Sequence, residues 1–217
     1  MSIHDLWEQL TPIEEVGMTE ESSRIGIRFY ALESLAKNNQ TLSLSADLTK
    51  VVALLSQWST THALHKLHAL NPSPSQQPWY FEWILVDNAT MQELNNHGRG
   101  QDKPTDVLSF PTLENAVHGD DHADCVTATP VESVLPESLM NAMRQQGGPL
   151  GSVIVSLDYA QEAVQHSAQV LDRYILERFI HGSLHNMGQH HATQDDYQRV
   201  LALQQDFFHR YTRLYPL

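Results

Sequence analysis

Cysteine is almost missing from this sequence, with Cys125 the single instance. An intrachain disulfide framework and a cysteine-rich zinc site are both excluded. Basic residues are scarce too. Lys and Arg number 13 against 26 Asp and Glu, a formal charge of −13 with histidine neutral. No global basic coat exists for non-specific nucleic-acid binding, so any such contact needs a local positive pocket. No apolar run approaches the roughly 18 residues of a membrane helix. The opening residues Met1–Glu15 lack the basic and apolar regions of a secretory signal. A soluble, cytoplasmic protein with no membrane partner is expected.

What the chain has in quantity is histidine, 13 residues, as many as Lys and Arg together. Imidazole is the commonest metal ligand among side chains. With 217 residues, 41% of them hydrophobic, the chain can bury one sizeable core.

Residues 1–40 read as an acidic, mostly helical extension holding Glu14, Glu15, Glu20 and Glu21. Thr41–Ser45 alternates like a short strand. Asp47–Leu70 has helical apolar spacing, and the three prolines of Asn71–Pro78 mark a loop. Trp79–Asp87 is the strongest strand, its aromatic alternation read as core. Thr90–Asn96 reads as a short helix capped by Asn88 or Thr90, followed by a polar loop over His97–Thr105 and a strand over Asp106–Phe110. Residues 112–149 look like a surface insertion. Leu150–Ser156 is a third strand. Helices are expected at Asp158–Gln165, Ala168–Met187 and Asp195–Tyr211, the last with Thr193 as N-cap and Asp196 as its reciprocal partner. The expected fold is α+β: a small mixed sheet of about four strands with five to six helices. One domain is expected over 41–217.

The chemistry concentrates in His181-Gly182-Ser183-Leu184-His185-Asn186-Met187-Gly188-Gln189-His190-His191. Residues four apart share a helix face, so His181 and His185 can reach one ion. Gly188 suits a left-handed helix end that turns the chain back. His191 then supplies a third imidazole, with the adjacent His190 as a competitor or a neighbour that supports the site. Three protein ligands leave a position open, as in catalytic zinc sites. The spacing is that of the H-E-x-x-H-x-x-G-x-x-H zinc proteases, in which the glutamate is the base. Gly182 stands at that position, which argues against proteolysis. A second segment, Gly98-Arg99-Gly100-Gln101-Asp102-Lys103-Pro104-Thr105-Asp106-Val107-Leu108-Ser109-Phe110-Pro111, offers Arg99 and Lys103 as phosphate contacts. Pairing of these two cations with Asp102 and Asp106 is the plainer alternative.

Pro104–Pro111 followed by the histidine segment resembles the YbeY endoribonuclease family over roughly 41–111 and 150–212. The resemblance implies a zinc-dependent endonuclease of single-stranded RNA, with one zinc per chain. It would act in 16S rRNA 3′-end maturation and ribosome quality control, on the small subunit and with ribosome-associated proteins. It implies His181, His185 and His191 as ligands and Arg99 as the catalytic arginine facing the metal, with Lys103 beside it for substrate. The chain departs from the family pattern at Gly98, Gln101, Ser152 and His190. Water or the RNA 2′-OH could be the nucleophile, and the base is unassigned, with His190 and the zinc hydroxide as candidates. Two other classes are a zinc hydrolase of peptides or amides, and a non-catalytic ribosome-associated factor with structural zinc. A fourth protein ligand such as His190 would favour the latter. The acidic group at His118–Cys125 and the His62, His65, His68 series read as solvated surface.

Overall fold

The computed structural model describes residues 1, 3–16, 25–37, 45–61, 79–112, 148–165, 168–189, 191 and 193–214. Its elements are α1 (Ile3–Trp7), β1 (Leu10–Val16), β2 (Ile25–Leu32), α2 (Glu33–Lys37), α3 (Ser45–Thr61), β3 (Trp79–Val86), α4 (Asn88–Arg99), β4 (Val107–Pro111), β5 (Gly148–Ser156), α5 (Leu157–Ala163), α6 (Ala168–Asn186) and α7 (Gln194–Leu214). The α+β expectation holds, with five strands and seven helices among the described residues. The strands form one sheet in the order β1-β2-β3-β5-β4. β2, β3 and β5 run parallel at its centre, and β1 and β4 flank them antiparallel.

The helical reading of residues 1–40 is corrected. Among its described residues that segment holds two strands and two helices, each helix of five residues. β2 alternates Ile25, Ile27, Phe29 and Ala31 into the core, each at most 2% exposed, and pairs with β3 from Ile25–Trp79 to Ala31–Leu85. Its other face carries Arg28 and Tyr30, which blunt the apolar signal. The expected strand at 41–45 lies outside the described residues apart from Ser45, which opens α3. His62, His65, His68, Asn71–Pro78, His118–Cys125 and nearly all of the insertion also lie outside them.

α4 is longer than the sequence suggests. Asp87, not Asn88 or Thr90, is its N-cap, the carboxylate accepting from Thr90 N–H at 2.8 Å. The helix runs on through Gly98 to Arg99, and Gly100 closes it at φ 64°. Arg99 therefore stands in the last turn of a helix rather than in a loop.

One face of the sheet receives α6. Trp83 stacks on Phe179 with centroids 4.6 Å apart, and Phe29 meets the same ring edge-on at 6.0 Å. Tyr30, the neighbour of Phe29, meets Trp7 of α1 edge-on at 5.1 Å. Successive residues of a strand point to opposite faces, so α1 and α6 lie on opposite sides. α7 joins the α6 side, where Phe207 meets Trp58 of α3 and Asp206 accepts from the Trp58 indole N–H at 3.0 Å.

α6 seats on the sheet through Phe179, Gly182, Ser183 and Asn186, one stripe at helical spacing. The Trp83 indole donates to Ser183 Oγ at 3.1 Å, and Asn186 Nδ2 donates to the Ser152 carbonyl at 3.2 Å. Between them Gly182 lies so close that a Cβ there would meet Val153 Cγ1 at 2.3 Å and Ser109 Oγ at 2.9 Å. Alanine gains about 1 kcal/mol over glycine in a helix, but overpacking a core contact costs about 1–3 kcal/mol. Gly182→Ala is expected to lower the urea midpoint. A midpoint that rises would mean that helix propensity governs this position and the contact is slack.

Candidate metal centre

His181 and His185 occupy the stripe of α6 next to the one that faces the sheet. α6 ends in a Schellman turn: Gln189 N–H donates to Leu184 O at 3.0 Å and Gly188 N–H to His185 O at 2.8 Å, with Gly188 at φ 79°. The reversal brings His191 back over the helix end. Its ring centroid is 4.9 Å from that of His185 and 5.7 Å from that of His181. One nitrogen from each histidine lies within 4.8 Å of the other two. His190 lies outside the described residues.

The protonation of two rings follows from their partners. Gln204 Nε2 donates to the Glu177 carbonyl at 3.2 Å, which turns Oε1 toward His181 Nδ1 at 3.2 Å. His181 Nδ1 therefore carries the proton. His185 Nδ1 meets the Gln189 carbonyl at 2.8 Å and must also be the donor. Both Nε2 atoms then hold lone pairs, and they face each other at 3.0 Å. A shared cation would resolve that pairing. A proton is a poor choice, since burial pushes the His181 imidazole below its ordinary value, against the raising effect of the Gln204 bond. Nitrogens bound at 2.0–2.1 Å to one tetrahedral ion sit about 3.3 Å apart, so the His181–His185 pair is spaced as two ligands of one ion would be. Nδ1 bonds to a carbonyl or amide oxygen are also what orients metal-ligating histidines in general.

The histidines open into a cleft of about 650 Å³. Arg99 comes to it from α4, Asp106 and Ser109 from β4 and its approach, and Arg173, Glu177 and Arg178 from α6. Tyr197, Gln204 and Phe208 come from α7. Arg99 thus shares the cleft with all three candidate ligands. Lys103 does not line it. That residue is exposed, and its carbonyl accepts from Asn95 Nδ2 at 2.7 Å. The alternative that Arg99 and Lys103 pair with Asp102 and Asp106 finds other partners for both acids. Asp102 Oδ1 accepts from Gln92 Nε2 at 2.9 Å, and Asp106 Oδ2 pairs with Arg178 Nη1 at 3.0 Å.

Arg178 and Tyr197 are lining residues that the sequence reading missed. Arg178 precedes His181 by three residues, a spacing that signals one face, and its guanidinium lies 4.9 Å from the Tyr174 ring centroid. Tyr197 had no local signal beyond its place in the first turn of α7. Three of the four departures from the family pattern, Gly98, Gln101 and Ser152, lie outside the cleft lining. Ser152 instead donates through Oγ to Glu82 Oε2 at 2.7 Å, a carboxyl pushed up chiefly by burial.

A mixed sheet that presents three histidines from one helix and the turn behind it, with an arginine in the same cleft, defines an α+β protein with an open three-histidine group that could hold a metal ion. Residues 46–212 match the family model described as Endoribonuclease YbeY. An endoribonuclease YbeY of Nautilia profundicola is 32% identical over 119 residues, covering 55% of this chain and 64% of that protein. The corresponding protein of Acaryochloris marina is 32% identical over 142 residues, 65% of this chain and 69% of its own length. That of Campylobacter jejuni is 35% identical over 118 residues, 54% and 66%. The aligned part thus spans just under two thirds of the Nautilia relative. The chain belongs to the YbeY family.

The depressed His181 pKa sets a pH dependence. The unfolded chain takes up that proton near 6.5, the folded chain only at lower pH. Stability of the metal-free protein is therefore complete above about 6.5 and is lost as pH falls from there through the folded-state value. Urea midpoints in chelator at pH 7.5 and 5.5 should differ more for the wild type than for His181→Gln. Equal differences would place the lost stability in other groups.

Proposed function

We propose that this chain is a zinc-dependent endoribonuclease specific for single-stranded RNA, with one zinc per chain. Its place in the cell is the cytoplasm, in maturation of the 16S rRNA 3′ end and ribosome quality control. The small ribosomal subunit and ribosome-associated proteins are its partners. The observation that carries this reading is the presence of Arg99 in one cleft with His181, His185 and His191, in a member of the YbeY family.

His181, His185 and His191 would hold the ion. Bound there, a zinc supplies Lewis acidity to a phosphoryl oxygen and makes a water more acidic. The protein side of the chemistry is electrostatic. Attack at phosphorus adds negative charge to its non-bridging oxygens, and a fixed cation lowers the cost of that charge. Arg99 is suited to this by its planar fork of N–H donors. Arg178 adds a second cation one turn from His181, oriented by Asp106. Lys103 lies outside the cleft lining and is assigned to the approach of the strand, not to the reacting phosphate. His190, the sequence neighbour of His191, is kept as a candidate to support the ligands.

The peptide or amide alternative is weakened by the same contact that seats α6. A peptidase of this spacing needs a glutamate at position 182, where even a Cβ would stand 2.3 Å from Val153 Cγ1. Among the described residues no helix is long and apolar enough to cross a membrane.

The test is cleavage of a single-stranded RNA and its duplex by the zinc-loaded protein, the chelated protein and Arg99→Ala. Cleavage should be confined to the single strand and stop on chelation. Arg99→Ala should cut turnover by about 10²–10³-fold with metal content unchanged. Metal lost from Arg99→Ala would make the arginine structural. Metal bound without any cleavage would instead favour a ribosome factor with structural zinc.

A further inference from the structure

Four large apolar side chains are exposed among the described residues: Tyr159, Val170, Tyr197 and Leu214. Of these, Tyr197 is the one that lines the cleft, and it is 45% exposed there. Isolated exposed apolar residues are ordinary on a protein surface. An aromatic ring left open beside the three histidines, in a cleft that also carries arginines, has a chemical use.

The backbone beneath Tyr197 is fixed. Thr193 and Asp196 cap α7 reciprocally: Asp196 N–H donates to Thr193 Oγ1 at 3.2 Å, and the Thr193 hydroxyl donates to Asp196 Oδ2 at 2.8 Å. Tyr197 N–H donates to Thr193 O at 3.0 Å, within this capped turn. The side chain then meets His191, with ring centroids 5.6 Å apart at an interplanar angle of 76°. His191 is in turn 4.9 Å from His185. The tyrosine ring is thus separated from the metal centre by one imidazole, a distance within the span of a single nucleotide. Arg99, Arg173 and Arg178 line the same cleft and supply the positive charge that a sugar-phosphate backbone needs.

We propose that Tyr197 stacks against the nucleobase next to the reacting phosphate and makes the cleft selective for unpaired RNA. The proposal rests on the endoribonuclease reading above and adds to it the residue that reads strandedness. A base in a duplex has both faces occupied by its neighbours, whereas an unpaired base can offer one to an aromatic side chain. Stacking of this kind is tolerant of base identity, because every base has a π face. The expected preference is therefore for single strands over duplexes, with weak discrimination among the four bases.

The experiment compares an intact single-stranded RNA with the same oligonucleotide carrying one abasic ribose next to the cleavage site, on either side in turn. The zinc-loaded full chain is assayed as wild type, Tyr197→Ala, Tyr197→Phe and Tyr197→Trp, with metal content measured on each. Tyr197→Ala should raise KM on intact RNA by about five- to a hundredfold. On one of the abasic substrates the wild type and Tyr197→Ala should perform alike, since the stacking partner is already gone. Phe and Trp should restore the wild-type KM on intact RNA. The proposal is overturned if Tyr197→Ala loses equally on intact and abasic RNA, or loses its metal, since the ring would then be supporting His191. Should Tyr197→Ala fail to fold, the wild type decides: equal KM on intact and on both abasic substrates overturns the stacking role and leaves the endoribonuclease reading in place. A metal-loaded wild type that cleaves no RNA overturns that reading, and the proposal with it.

Discussion

The close approach of α6 to the sheet at Gly182 is the contact on which the three-histidine group depends. With no Cβ at 182, the helix can settle against Val153 and Ser109. Trp83 then reaches Ser183, and Asn186 reaches the Ser152 carbonyl. These partners set the rotation of α6 about its own axis as well as its distance from the strands. That rotation decides where His181 and His185 stand, because they sit on the stripe beside the anchored one. The same glycine removes the residue a zinc protease would use as its base. A single packing requirement therefore helps to build the histidine pair and to separate this family's chemistry from peptide hydrolysis.

The second layer of organisation is the control of proton positions. His181 is oriented by an amide on α7, and His185 by the carbonyl of the turn that ends its own helix. The Schellman turn thus acts twice, reversing the chain toward His191 and holding His185 in the tautomer that leaves the Nε2 lone pair open. The lone pairs facing each other at 3.0 Å are costly without a cation between them. Burial at the same time pushes the His181 imidazole below its ordinary value, which disfavours a proton in that place. Around it, Asp106 holds Arg178 as a cation in the cleft of a chain whose overall charge is −13. Local geometry places positive charge where net composition shows an excess of negative charge.

Features with short sequence range were legible. The spacing of His181, His185, Gly188 and His191 needs only helix geometry and a left-handed turn, and both are present. The capping pair Thr193–Asp196 and the central strands at Trp79 and Leu150 were equally local. Features assembled from distant parts were not. β2 was obscured because its Arg28 and Tyr30 face away from the core and because its partner, β3, lies some fifty residues downstream. Arg99 read as a loop residue because Gly98 suggested a break, while Gly100 is the glycine that ends the helix. Arg178 and Tyr197 carry no motif of their own. They become cleft residues only when α6 and α7 pack side by side.

The most direct test of the central claim is the coordination of the metal in the purified protein, read by zinc K-edge X-ray absorption. The account predicts about one zinc per chain bound by three imidazoles, with a light non-protein atom completing four-coordination. A fourth imidazole would make the centre a closed structural site and contradict the open one described here. A protein that binds no metal under any loading would contradict the account at its root, leaving the paired lone pairs of His181 and His185 to be bridged by a proton.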